Sequence, residues 1–466
     1  MNDRIPDAES SHCLENFEIA AGRKTGEFYG AVFQDTDVAK WLEAVGFSLA
    51  CYPDEALEKT ADEVIDLIAE AQCEDGYINT YYTIKEPGKR WTDLCEGHEL
   101  YTAGHLIEAA VAYYEGTGKK KFLDCVSKFA DLICDTFGTE EGKIHGYPES
   151  CASIGLALFG LRMALITGES QYIDVAERAL YNTVLAGIAL DGKSFFYVNP
   201  LEVWPPACME GTSKKHVKPI RQKWFGVACC PPNIARTLAS LGQYIYAENS
   251  KKKELYVNLF VSNETELDWN ENKISVKLQT EFPWVNTYSL EIKNVPEGEM
   301  DLLLRVPDYA QDYQVTADGN MYEENKELEK GYRRVHVEKD TRIEVSFAAP
   351  AKFVYANPQV RADSGKAAIV RGPLVYCLEE IDNSQNLPAV FVDTDTALEE
   401  EKSDLFGGIV TVKARGKKIV ESSVSNSLYS GQKPQLEDVE LTAIPYPYWN
   451  NRGEGEMLVW MKELRP

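Results

Sequence analysis

PPNIARTLASLGQYIYAENSKKKELYVNLFV, residues 231–261, is where the chain changes its hydrophobic period. Up to Tyr246 the apolar residues recur every three or four positions, as on one face of a helix. From Leu255 they follow the two-residue alternation of a strand. The polar run from Asn249 to Lys253 separates the two regimes. Everything upstream reads as helical and everything downstream as strand-rich.

Working back toward the N-terminus, helical periodicity predicts helices over residues 35–51, 54–73, 99–115, 119–137, 149–166, 171–188 and 231–246. Short turns join them at Tyr52-Pro53, Gly116-Thr117-Gly118 and Thr167-Gly168. Such helices are too apolar to stand alone, so consecutive hairpins bury their faces side by side, and a ring of hairpins around a cleft is the natural arrangement. Working forward, period-two stretches start at Leu255, Ile274, Tyr288, Leu302, Arg334 and Arg342 and read as sandwich strands. A boundary at residues 350–357 precedes further strands near Ala367 and Ile409. The expected domains are a helical domain over 1–250, a β-sandwich over 251–350 and a second over 351–466.

At 466 residues the chain exceeds one ordinary core, and 44% hydrophobic content is globular. A formal net charge of −26 argues against nucleic acid and anionic membrane surfaces. The polar first 22 residues lack a secretory pattern, and no membrane-spanning run is evident. Eleven cysteines without disulfide spacing fit a reducing, cytoplasmic compartment. Cys51, Cys73, Cys125 and Cys134 fall in helical patterns and read as small buried hydrophobes.

The chemistry concentrates in two places. Cys229-Cys230 precedes Pro231-Pro232, and proline favours a helix's first turn, so the vicinal thiols sit at a helix mouth. There the dipole and unpaired N–H groups favour thiolate, the form that attacks carbon and binds metal. Glu149-Ser150-Cys151 opens another apolar helix. Together Glu149, Cys151, Cys229 and Cys230 make a four-ligand set suited to Zn2+. Against this stand plainer readings: a buried or redox-active cysteine pair, and an ordinary first-turn acid. The second place is His98-Glu-Leu-Tyr101-Thr-Ala-Gly104-His105, whose histidines lie two helical turns apart on one face. The spacing fails the HExxH of metalloproteases. It suits a polar lining for sugar hydroxyls, and His98, Tyr101, His105 and Glu149 are the substrate-binding candidates. Asp75-Gly-Tyr-Ile-Asn-Thr-Tyr-Tyr82 and Arg90-Trp91 add aromatic and amide groups.

At these residues the sequence resembles the bacterial β-L-arabinofuranosidases of glycoside hydrolase family 127. The likeness runs through residues 15–22, 35–43, 74–80, 98–105, 149–155, 196–200 and 224–233, and includes Val370-Arg-Gly-Pro-Leu-Val-Tyr376. It implies an (α/α)6-type helical barrel followed by two β-sandwich domains. It also implies zinc held by Glu149, Cys151, Cys229 and Cys230, with Cys229 as the nucleophile of a retaining hydrolysis of a glycoside or oligosaccharide. A homodimer through the β-domains is compatible with this organisation.

One departure from the family is plain. About seven helices precede the strands where a six-hairpin barrel needs twelve, a shortfall of roughly 130–150 residues. The break falls between His145-Gly-Tyr-Pro148 and Glu149, and no residue matches the family's glycine-flanked acid/base glutamate. A non-catalytic sugar-binding relative is therefore a competing expectation. A sugar epimerase using the histidines for proton transfer is a third, which leaves the vicinal thiols idle.

Overall fold

The computed structural model describes residues 11–464 except 95, 137–148, 213, 226–229, 270–271, 296–299, 325–326 and 421–428. It divides into two compact units, Met1–Tyr147 and Pro148–Pro466.

The first unit is helical: α1 (Cys13–Ala20), α2 (Asp35–Cys51), α3 (Glu55–Ala71), the short α4 (Thr80–Ile84), α5 (Glu99–Thr117) and α6 (Lys121–Thr136). The Asp54 carboxylate caps α3 by accepting from the Ala56 and Leu57 amides at 2.9 and 3.0 Å. Helices α2 and α5 pack backbone to backbone because both carry glycine at the crossing. A Cβ on Gly46 would stand 2.5 Å from the Ala112 carbonyl carbon, and one on Gly116 would stand 2.3 Å from the Gly46 oxygen. Gly116, expected in a turn, is therefore helical and close-packed, and Gly118 in a left-handed conformation ends the helix instead. Cys125 is buried as expected, but Cys51 and Cys134 are exposed and Cys73 is half-buried. Cys51 and Cys134 lie in the last turns of α2 and α6, where period alone does not resolve the face, while Cys73 falls beyond the end of α3 and packs at the edge of the core.

The second unit begins with α7 (Ser150–Thr167) and α8 (Gln171–Ala179). The latter runs into a π-helical turn at Leu180–Val184, and α9 (Cys230–Ser240) follows. Ile154, Leu158 and Leu161 of α7, Ile173 and Ala176 of α8, and Ile234 of α9 share one buried core. By length and composition α7 could cross a membrane, which the sequence reading did not anticipate. One face packs on α8 and α9 in the shared core, while Leu156, Leu165 and Ile166 are exposed.

The rest is β-rich. The strands Tyr332–Val337, Met300–Arg305, Glu254–Val257 and Tyr246–Asn249 form one sheet in that order. A second sheet of six strands runs from Asn263–Trp269 through Asn272–Thr280, Thr287–Lys293, Thr341–Ala348 and Gln311–Ala317 to Asn320–Met321. Leu302 and Val335 of the first and Ile274, Leu290 and Val345 of the second share one core. A single ten-stranded sheet holds the C-terminal region, with Ile409–Ile419 paired along Leu436–Pro445 at its centre.

Two buried arginines tie these sheets to the helices of the same unit. Arg305 is fully buried and donates to the Asp174 carboxylate at 2.5 Å, to Glu177, and to the Asn258 carbonyl at 2.7 Å. The Tyr309 hydroxyl donates to the other Glu177 oxygen at 2.6 Å. Arg221 donates to the Ala186 and Trp449 carbonyls, its guanidinium 4.6 Å from the Phe196 ring centre. Burial pushes Arg221 down to about 10, opposed only in part by the nearby Tyr446 and Glu379.

Removing the cation from the Asp174–Arg305–Glu177 cluster leaves two buried carboxylates facing each other. Arg305→Leu is therefore expected to cost about 3–5 kcal/mol, measured by chemical denaturation; a loss below 1 kcal/mol would refute this role. In the first unit, Asp35 is buried and accepts from the Thr80 amide and hydroxyl at 2.7 and 2.5 Å. Desolvation nonetheless pushes its carboxyl up to about 6, and the Thr80 hydrogen bonds only partly oppose this. The folded value lies above the unfolded one, so the native state holds the proton more tightly. The associated stability is complete below about pH 4 and is lost as pH rises through about 6. From pH 4 to 7 the wild-type protein should lose about 2 kcal/mol more stability than Asp35→Asn. Parallel stability–pH curves for the two proteins would rule out that burial.

Candidate metal centre

Glu149, the residue before α7, has extended backbone and pairs as a β-bridge with Val198. The Ser150 amide donates to the Tyr197 carbonyl at 3.0 Å, and the Ser153 amide and hydroxyl both donate to the Glu149 carbonyl at 3.0 Å. These contacts hold the mouth of α7, where Glu149 and Cys151 stand two residues apart with Ser150 between them. Cys230 is the first residue of α9 and fully buried, and Pro231-Pro232 in the first turn need no intrahelical N–H partner. Ile154 and Ile234, each about one turn into its helix, meet in the shared core. That packing brings the two mouths together.

The result is a compact cluster. A carboxylate oxygen of Glu149 and the sulfurs of Cys151 and Cys230 all lie within 4.8 Å of one another. The two sulfurs are 3.7 Å apart. A disulfide would need about 2.05 Å. Two thiolates bound at about 2.3 Å to one tetrahedral ion stand roughly 3.8 Å apart, so the spacing fits a shared metal. Both helices direct the positive ends of their dipoles at this point, which favours anionic sulfur and carboxylate. The expected fourth ligand and nucleophile, Cys229, lies outside the described residues.

In the first unit, the rings of His98, Tyr101 and His105 form a continuous row on α5. Tyr101 makes edge contacts with His98 at 5.8 Å and with His105 at 4.6 Å. Phe33 packs on His98 at 5.1 Å, and the Lys40 ammonium sits 5.6 Å from the Tyr101 ring centre. Tyr101 is 43% exposed, and the space beside Gly104 is open. The two histidines thus share a face with a tyrosine between them. His98 holds a left-handed conformation with Nδ1 2.7 Å from the Glu96 carbonyl oxygen.

Its neighbour Glu99 points the other way. It is buried, accepting from the Trp91 amide at 2.7 Å and from the Tyr77 hydroxyl, and desolvation raises its carboxyl above the ordinary range. The Arg90 guanidinium lies 3.9 Å from the Tyr77 ring centre. Tyr77, Asn79, Thr80 and Tyr82 are buried too. The Asp75–Tyr82 stretch, read from composition as a cleft lining, is instead largely the support beneath the α5 mouth. Alternation of polar and aromatic residues carries no mark of which side faces water.

Comparison with known proteins places this architecture. Residues 1–150 and 144–243 match the β-L-arabinofuranosidase GH127 catalytic domain, 254–350 the GH127 middle domain, and 351–462 the glycoside hydrolase family 127 C-terminal domain. The chain belongs to glycoside hydrolase family 127. A crystal structure of a GH127 β-L-arabinofuranosidase from Geobacillus stearothermophilus T6 is 38% identical, covers 99% of this chain and 95% of its own, and superposes with a TM-score of 0.66. A second GH127 β-arabinofuranosidase of solved structure is 28% identical with a TM-score of 0.60, covering 97% of this chain and 92% of its own. The non-reducing end β-L-arabinofuranosidase of Bifidobacterium longum subsp. longum is 29% identical, covering 97% of this chain and 92% of its own length. That last alignment spans 613 positions, which exceeds the 466 residues here by 147. This GH127 chain thus matches the catalytic domain in two pieces that meet at residues 144–150, and it lacks positions that its relative carries.

Cobalt(II) added to the purified metal-free protein should produce thiolate-to-metal charge-transfer absorption. Cys151→Ser or Cys230→Ser should diminish it and weaken binding by more than the roughly 10–100-fold that outer-shell changes cost. An unchanged spectrum and affinity in both variants would remove the cluster as a metal site.

Proposed function

We propose that this GH127 glycosidase is a zinc-dependent retaining enzyme that releases L-arabinofuranose or a related sugar from β-linked glycans, with Cys229 as nucleophile. The single observation that carries the reading is the 3.7 Å approach of the Cys151 and Cys230 sulfurs beside Glu149, between residues 79 positions apart in the chain. In this reading Glu149, Cys151, Cys229 and Cys230 hold the ion, in a helical-barrel catalytic domain that two β-sandwich domains follow in the chain.

Bound zinc would lower the thiol pKa and neutralise the crowded anions. The Cys229 thiolate attacks the anomeric carbon as the bond to the leaving oxygen breaks, and that oxygen takes a proton from a general acid. Water then adds to the anomeric carbon and gives up a proton to the same group acting as base, which returns the Cys229 sulfur as thiolate. Within the first unit, His98, Tyr101 and His105 carry ring nitrogens and a hydroxyl of the kind that hydrogen-bond sugar hydroxyls. Thiol chemistry of this kind requires reduced cysteines, and we place the protein in the cytoplasm on that ground.

A second reading has an observation of its own. The B. longum relative carries at least 147 aligned positions that this chain lacks, and no described residue is assigned as general acid. A relative that binds the sugar without turning it over fits that loss.

The two readings separate on a chromogenic aryl β-L-arabinofuranoside. The glycosidase hydrolyses it, loses turnover on cysteine alkylation, and loses at least about 10³-fold in kcat/KM as Cys229→Ala. Binding without hydrolysis selects the second reading. Full turnover by alkylated, metal-free protein would sink the cysteine mechanism outright.

A further inference from the structure

Between the two ligands on α7 sits Ser150, which the mechanism leaves unused. Its side chain is fully buried, as is that of Asn199. The Asn199 carboxamide donates to the Ser150 hydroxyl at 2.9 Å, and that hydroxyl donates to the Phe196 carbonyl at 2.9 Å. The Asn199 carboxamide oxygen has no partner among the described residues. A buried, half-satisfied amide is costly to keep unless its geometry is useful.

The location gives that geometry a purpose. Residues 196–199 also hold Glu149 and Ser150 by backbone, through the Val198 bridge and the Tyr197 carbonyl. On the other side stands Gly187, where a Cβ would lie 3.1 Å from both the Ser150 hydroxyl oxygen and the Ile234 Cδ1. The Gly187 carbonyl in turn accepts from the Phe196 amide at 2.8 Å. Ile234 is one turn beyond Cys230 on α9. The Ser150 hydroxyl therefore occupies the point where the first turn of α7, the 196–199 segment and the first turn of α9 are packed together. An apolar side chain in the Ser150 position would fill the space but would not fix the rotation of the turn that carries Glu149 and Cys151. A hydrogen-bonded hydroxyl fixes both.

We propose that Asn199 and Ser150 act as a positioning pair that sets the mouth of α7 in the orientation from which Glu149 and Cys151 bind the metal. The proposal rests on the metal-site reading above. Neither residue is a ligand; their effect passes through the two that are.

The test measures zinc affinity of the full-length metal-free protein by competition with a chromophoric chelator, together with the rise in Tm that zinc produces. Asn199→Ala and Ser150→Ala are each expected to weaken zinc roughly 10–100-fold and to shrink the zinc-dependent rise. Asn383→Ala serves as the control. That residue is a buried asparagine whose amide donates to the Glu379 and Thr442 carbonyls, and its loss should lower Tm while leaving zinc affinity at the wild-type value. Should Asn199→Ala fail to fold, Ser150→Ala decides alone, since alanine suits a first turn. Wild-type zinc affinity in the variants, with a fall in Tm like that of Asn383→Ala, would overturn the positioning role and leave the metal site standing. A wild-type protein that takes up no zinc would overturn both.

Discussion

Three anion-forming groups crowd within 4.8 Å at the junction of two helix mouths, one of them on a fully buried residue. Groups of one charge so placed repel strongly in a low-dielectric setting, and only a cation or protonation relieves them. Holding them there demands a scaffold that does not give. That demand accounts for much of the second unit: the apolar α7 packed on its neighbours, the bridge at Val198, and the close contact at Gly187. Two helix dipoles add to the same requirement, since each favours negative charge at its mouth.

The sheets serve that scaffold from behind. Arg305, reaching from a strand to Asp174 and Glu177 of α8, is a buried ion cluster whose worth lies in fixing one arrangement of helix on sheet. Asn182, inside the π-helical turn after α8, donates to the Pro373 carbonyl and accepts from the Val375 amide at 2.8 Å each. A π turn displaces one residue from the regular ladder. Here it presents an amide to the C-terminal sheet. The β-regions carry little chemistry of their own, yet their contacts begin at the end of the helix that follows Glu149, where Lys330 meets Thr167 and Ser170.

In the first unit, buried acids are met by hydrogen-bond donors instead. Asp35 and Glu99 are buried carboxylates satisfied by hydrogen bonds to Thr80, Tyr77 and Trp91. They lock the irregular segment between α3 and α5, and that segment supports the row in which an exposed Tyr101 stands between the half-buried His98 and His105. Glu99 stands beside His98 in sequence yet faces the interior, because His98 holds a left-handed conformation before the helix and Glu99 is the first helical residue. Adjacent residues of one motif thus do opposite work.

Periodicity alone carried the order of elements from helix to strand, and α2 spans the same residues that its pattern predicts, Asp35 to Cys51. These are local properties: each follows from side-chain spacing within one stretch of backbone. The two helix mouths that bring Glu149, Cys151 and Cys230 together were legible for a similar reason, since proline after a cysteine pair and a carboxylate before a helix mark helix mouths by rules of a single turn. The shared histidine face of α5 was legible too, by counting turns. Which cysteines are buried, which way Glu99 points, and that Asp75–Tyr82 is largely support were not. Nor was the pairing of Ser150 with Asn199, 49 residues on. Those outcomes depend on partners brought together only when separate elements pack, and contacts between distant residues leave no periodic trace in the chain.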